Sequence, residues 1–150
     1  SQKTDPYILV YELQKDEEME KLAFRIAKEK NIKVRMLVGF ISYSKKKSYE
    51  ITIDFIKSGS SIKEVAKERK LTLVTVMSHI QQYIAEGNKV DFIIPLDEFF
   101  NEEEEKIVLD AIDKVGYSKL KDIKEIVSDK ISYDAIRAVV LKKIINELNN

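Results

Sequence analysis

Apolar positions along the chain change period several times, and each change marks an element. Tyr7 to Leu13 (YILVYEL) is a short apolar, aromatic-rich run, the pattern of a buried strand. Asp16 is placed to cap a helix whose Met19, Leu22, Ala23, Ile26 and Ala27 repeat at helical spacing as far as Asn31. Lys33 to Phe40 (KVRMLVGF) reads as a second strand, and strand–helix–strand implies a parallel pair with a right-handed crossover. Two strands make a poor sheet, so either further strands join them or the segment is the edge of a preceding domain. Ser42 to Lys47 is a polar connector.

Tyr49 to Phe55 alternates strictly and is rich in β-branched residues, as a strand would be. Ser48 as a cap, the Tyr49/Ile53/Ile56 spacing and the stop at Gly59 favour a helix, and we read a helix. Ser61-Ile62-Lys63-Glu64 is a capping box, opening a helix with Ile62, Val65 and Ala66 on one face. After a break at Lys70-Leu71, Thr72 caps a longer helix in which Val76, Ile80, Tyr83 and Ile84 align and which Gly87 ends. Lys89 to Ile94, before Pro95, reads as a short wing strand. Asn101 with Glu102 to Glu104 starts a further helix, ended by Gly116; Leu120–Ser128 and Tyr133–Leu148, the latter capped by Ser132, complete a three-helix unit. Aligning Ile62 with Ile123, and allowing one deletion at Lys70, sets Thr72 against Ser132, Val76 against Ile136 and Ile80 against Val140, an internal echo of the helix–turn–helix pattern.

The expected fold is therefore mainly α with minor β: a strand–helix–strand segment (1–46), a winged helix-turn-helix (47–96) and a C-terminal helical unit (97–150).

Equal numbers of basic and acidic residues, 26 of each, conceal a strong asymmetry. Residues 41–90 hold 9 basic and 5 acidic groups, whereas 91–113 hold 1 and 9. A basic centre attracts phosphates whatever the net charge. The acidic run Glu102 to Glu105 points in successive directions around a helix, so it does not converge on a cation; it suits the helix dipole and solvation. A further expectation is that this belt occupies the basic face or repels DNA from one side.

There is no cysteine, which excludes disulfides and thiolate chemistry and suits a reducing cytoplasm, where we place the protein. The single histidine, His79, has no second His or Cys with which to build a zinc site, and we expect it at the border of the helix core with one ring nitrogen bonded. No catalytic constellation and no cofactor motif is present. The N-terminus is not a secretory signal, and lacking an initiating Met the chain reads as an excised piece of something larger.

In a helix-turn-helix, a small residue such as Ala66 lets the second helix cross closely, Leu71 plugs the turn, and Val76 with Ile80 anchor the second helix from below. That helix can lie in the major groove. Its outward residues would be Leu73, Val74, Thr75, Met77, Ser78, Gln81 and Gln82; with the cap Thr72, the polar members Thr75, Ser78, Gln81 and Gln82 are candidates for base edges. Lys45, Lys46, Lys47, Lys63, Lys67, Arg69 and Lys70 are candidates for phosphates. Tyr43, Tyr49 and Tyr83 could stack on unpaired bases, although Tyr83 reads better as core.

The run from Lys47 to Ile80 resembles the helix-turn-helix domain at the C-terminus of bacterial RecQ-family helicases and related helicase-like proteins. The resemblance rests on Val65-Ala66-Lys67-Glu68-Arg69, Leu71, Thr72, Thr75-Val76 and His79-Ile80, with Tyr133-Asp134-Ala135-Ile136-Arg137 matching a closing motif. Lys70 stands where that family has a turn glycine. The resemblance implies an accessory domain that contacts duplex or single-stranded DNA for an ATP-driven helicase, in DNA repair. It does not bring the motor, because the chain has no phosphate-binding loop. The alternatives are a protein-interaction module that docks on a partner, a helicase core or a second copy through Leu73, Val74 and Met77, and a helix-turn-helix transcription regulator.

Overall fold

A computed structural model of the chain describes residues 7–12, 17–37 and 40–150. Asp16, expected to cap the first helix, lies outside them, as does the side chain of Tyr43. The chain divides into two units, Ser1–Ile51 and Thr52–Asn150.

In the N-terminal unit, β1 (Tyr7–Glu12) leads to α1 (Glu17–Lys30), β2 (Ile32–Leu37) and β3 (Phe40–Lys45). The expected parallel pair is not formed. β3 lies between the other two strands and is antiparallel to both, with Tyr11 opposite Ile41 and Leu37 opposite Phe40. Only residues 38 and 39 separate β2 from β3, and so short a connection can join only antiparallel neighbours. Phe40, read as the end of the second strand, instead begins a third, most of which was hidden in the polar connector. Ala23 and Ala27 of α1 are buried, packed by Ile26, Ile32 and Val34.

The ambiguous segment is helical: α2 spans Ser48–Lys57. Ser48 is its first helical residue, and the Glu50 carboxylate accepts from the Lys47 amide at 3.1 Å, so the cap lies one position earlier than expected. The helix wins over alternation because Thr52, Ile53 and Ile56 all face inward, at helical spacing.

In the second unit, α3 (Ile62–Arg69) starts with both hydrogen bonds of the Ser61/Glu64 capping box in place. It ends at Lys70, which adopts the left-handed conformation (φ 56, ψ 46). The Leu71 amide bonds the Ala66 carbonyl and the Lys70 amide that of Lys67, so the helix closes as it would on a glycine, with a lysine bearing the strain. α4 (Leu73–Ala85) is capped by the Thr72 hydroxyl on the Thr75 amide. Ala66, Val76 and Ile80 are buried where the two helices cross.

The expected wing is absent: residues 88–95 form no strand. With no second strand beside it to accept its backbone bonds, this apolar segment packs by side chains instead. Val90 is buried, and Phe92 sits edge-on to Tyr83 with ring centroids 6.0 Å apart. A short 3-10 turn (Leu96–Phe99) then leads to α5 (Glu102–Val115), α6 (Leu120–Ile126) and α7 (Tyr133–Leu148). The internal echo holds at the second helix of each pair. Thr72 and Ser132 each cap through a hydroxyl, and Val76, Ile80, Ile136 and Val140 are buried. It fails at the first, since Ile62 begins α3 whereas Ile123 lies inside α6.

Two apolar clusters share α7. Ala138 and Leu141 join the cluster built by α2, α3 and α4; Ala135, Ile136, Val139 and Val140 join that of α5 and α6. The segments 47–96 and 97–150, distinguished by their sequence patterns, thus pack as one body from Thr52 onward.

The strain at Lys70 is testable. Lys70→Gly is expected to raise stability in urea unfolding by about 0.5–1 kcal/mol, since a left-handed L-residue costs about 1–2 kcal/mol and the extra freedom of glycine in the unfolded chain takes back part of that. A loss of stability would show that the turn is not held in this conformation.

Candidate nucleic-acid interface

One side of α4 is locked into the protein and the other is open. Val76, Met77 and Ile80 are buried, with Leu73, Tyr83 and Ile84 packed against the same cluster. Thr72, Ser78, Gln81 and Gln82 are exposed, and Thr75 is half-buried beside them. Two residues expected to point outward do not. Met77 is only 2% exposed, and Leu73 is half-buried in the core. At 100° per residue both fall on the side of Ile80, which the outward reading of an apolar row did not separate from the solvent side. Val74 alone of the proposed docking trio stays open, at 45% exposure, and one residue is not an apolar patch.

The orientation of α4 is fixed by a polar contact. Thr52 of α2 is fully buried, and its hydroxyl lies 2.6 Å from Arg69 Nη1 and 2.7 Å from His79 Nδ1. Arg69 can only donate, so the hydroxyl accepts from it; with the neutral imidazole protonated at Nε2, the hydroxyl donates to Nδ1. One oxygen thereby ties α2 to both helices of the motif. Burial, and then the Arg69 charge, hold His79 below the ordinary imidazole value of 6.5. His79 is thus at the core border with a bonded nitrogen, as expected. Nothing in the strict alternation of 49–55 singled out Thr52 as its partner.

The expected phosphate contacts occupy different settings. Lys63, Lys67 and Lys70 are exposed on α3 and its turn, with Lys63 Nζ 5.5 Å from the centre of the Phe99 ring. Arg69 is half-buried and committed to Thr52. Lys45, Lys46 and Lys47 belong to the N-terminal unit. Of the tyrosines, Tyr49 is buried and Tyr83 is packed on Phe92, which leaves neither ring open for stacking.

Part of the acidic belt is engaged within the protein. Lys142 of α7 bridges Glu105 at 2.8 Å and Asp97 at 3.2 Å, and the Glu105 bond chiefly raises its pKa. Glu104 closes the capping box on Asn101. Among the described residues there is no cluster of ligands suited to a metal ion, and no helix is long and apolar enough to cross a membrane.

Beside the open side of α4 runs a groove of about 360 Å³. Val74, Met77, Ser78 and Gln81 form its α4 wall; Tyr117, Ser118 and Leu120 form another, and α7 contributes Arg137, Val140, Leu141 and Ile144. The sequence offered no signal for this groove, because its walls come from three separate stretches of chain.

A family model described as a helix-turn-helix domain matches residues 48–140. The chain belongs to that helix-turn-helix family. The match begins at the first residue of α2 and runs into α7, so the helices after the motif are part of the same family unit. Membership points to nucleic-acid binding as the general role of this helix-turn-helix domain. No curated protein and no solved structure matches the chain.

Two outcomes follow from the Thr52 contact. Thr52→Val removes the hydroxyl at nearly constant volume and takes from Arg69 Nη1 and His79 Nδ1 the partner they share, a loss of about 1–3 kcal/mol in denaturant unfolding. Because the folded state lowers the His79 pKa, the unfolded chain takes up the proton first as pH falls below 6.5. The stability contributed by neutral His79 is therefore complete above that pH and lost as pH falls through the folded value. Urea midpoints measured stepwise downward from neutral pH should fall less steeply for His79→Gln than for the wild type; parallel curves would rule this out.

Proposed function

We propose that the helix-turn-helix domain binds duplex DNA with α4 in the major groove, as an accessory DNA-binding domain of an ATP-dependent helicase. The observation that carries the reading is the open side of α4: Thr72, Thr75, Ser78, Gln81 and Gln82 project from a helix held from behind by Val76, Met77 and Ile80. Amides and hydroxyls of this kind can bond base edges, Gln most specifically to adenine. Lys63, Lys67 and Lys70, exposed on α3 and its turn, supply the phosphate contacts that set position. Arg69 acts behind them, holding Thr52. The helicase context is supported by the resemblance of the α3–α4 sequence to RecQ C-terminal domains.

α4 itself carries no lysine or arginine, so affinity comes from the flanking cations and should be strongly salt-dependent. In fluorescence-anisotropy titrations on duplex DNA, the combined variant Lys63→Glu, Lys67→Glu and Lys70→Glu is expected to flatten the log–log salt slope by about two to three, at about 0.9 for each phosphate that the variant leaves without a cation. Gln82→Ala should weaken binding while leaving that slope alone. Duplex affinity indifferent to both salt and the lysine reversals would sink the reading. The helicase context is tested separately by the complete gene product, which should contain a nucleotide-binding motor.

A further inference from the structure

The groove beside α4 has the size and chemistry of a small-ligand site. Its volume of about 360 Å³ lies at the lower end of the range for such sites, about 300–1,000 Å³. The lining combines aliphatic side chains, Val74, Val140, Leu141 and Ile144, with polar ones, Ser78 and Gln81 on α4 and Ser118 after α5. Tyr117 sits at the rim, 37% exposed, where Gly116 turns the chain out of α5 with a positive φ of 73°. Arg137 is the only charged side chain in the lining.

We propose that this groove receives one unpaired nucleotide of a DNA strand that also runs along α4. The inference rests on the DNA-binding reading above. A base has two flat apolar faces and hydrogen-bonding edges, and it carries an anionic phosphate beside it. Tyr117 offers a ring to stack on, and the Gln81 amide offers both a donor and an acceptor to a base edge. Arg137 supplies the cation. Its carboxylate partner, Asp134, is 3.6 Å away and its guanidinium lies over the Tyr133 ring at 5.5 Å, which steadies it and leaves N–H donors for a phosphate. Val74, Ser78 and Gln81 place the groove directly against the exposed row of α4, within one strand's reach.

The test compares three labelled probes by anisotropy: a blunt duplex, the same duplex with a short single-stranded overhang, and the overhang strand alone. The wild type is expected to bind the overhang duplex on the order of tenfold more tightly than the blunt one, the scale of one base stacked on an aromatic ring. Tyr117→Ala and Arg137→Gln should abolish that preference without changing affinity for the blunt duplex, and Tyr117→Phe should keep it. Equal affinity for blunt and overhang duplexes, or a preference that survives Tyr117→Ala, overturns the groove assignment while leaving duplex binding in place. Single-strand binding that depends on Tyr117, with no binding of the blunt duplex, would do the reverse. Self-association that Tyr117→Ala abolishes, with probe preference unchanged, would make the groove a contact between copies and also overturn the assignment.

Discussion

The arrangement of the helical unit depends on α7 being apolar on more than one side. Ala138 and Leu141 pack into the cluster under α3 and α4, while Ala135, Ile136, Val139 and Val140 pack against α5 and α6. A helix with a single apolar stripe can seal one core and leave its back in water; one that is apolar on opposite sides has to be enclosed. The two alanines on these buried faces let neighbouring helices come close. Enclosure of α7 joins the helix-turn-helix to the helices that follow it, and it brings the α5–α6 connection beside α4. The groove is a consequence of that packing.

A second constraint acts at the other flank of α4. Thr52 brings a polar atom into a fully buried position, and the cost of desolvating it is offset only because Arg69 and His79 both reach it. Apolar packing between α2 and α4 tolerates sliding, whereas a hydroxyl shared by two partners within 2.7 Å does not. The contact therefore sets the rotation of α4, and with it the side on which Ser78 and Gln82 stand.

The electrostatics of the surface follow from how the charges are spent. The exposed row of α4 is uncharged and, Val74 apart, polar, so long-range attraction has to come from lysines on neighbouring elements, while the row itself supplies short-range hydrogen bonds. The acidic segment after the motif is not simply a repelling belt. Glu105 and Asp97 neutralise Lys142, and the first-turn glutamates of α5 meet the positive end of its dipole.

Local chemistry in the sequence was enough to locate the starts of α3, α4, α5 and α7. The box at Ser61 and Glu64, the hydroxyl caps at Thr72 and Ser132, and the cap at Asn101 all act within four residues, so no distant partner is needed to read them. The left-handed turn at Lys70 was legible as a position, since the helix had to stop there, but which conformation a lysine would adopt was not. Tertiary structure decided what depends on partners far along the chain. β3 exists because two strands were available to flank it, and the wing does not because Lys89 to Ile94 found none. Whether Met77 faced solvent or core depended on which elements close over α4, and Thr52, Arg69 and His79 meet only once three helices have packed. Capping is a contact between near neighbours, whereas strand pairing, burial and grooves are contacts between strangers in sequence, and only the folded chain chooses those.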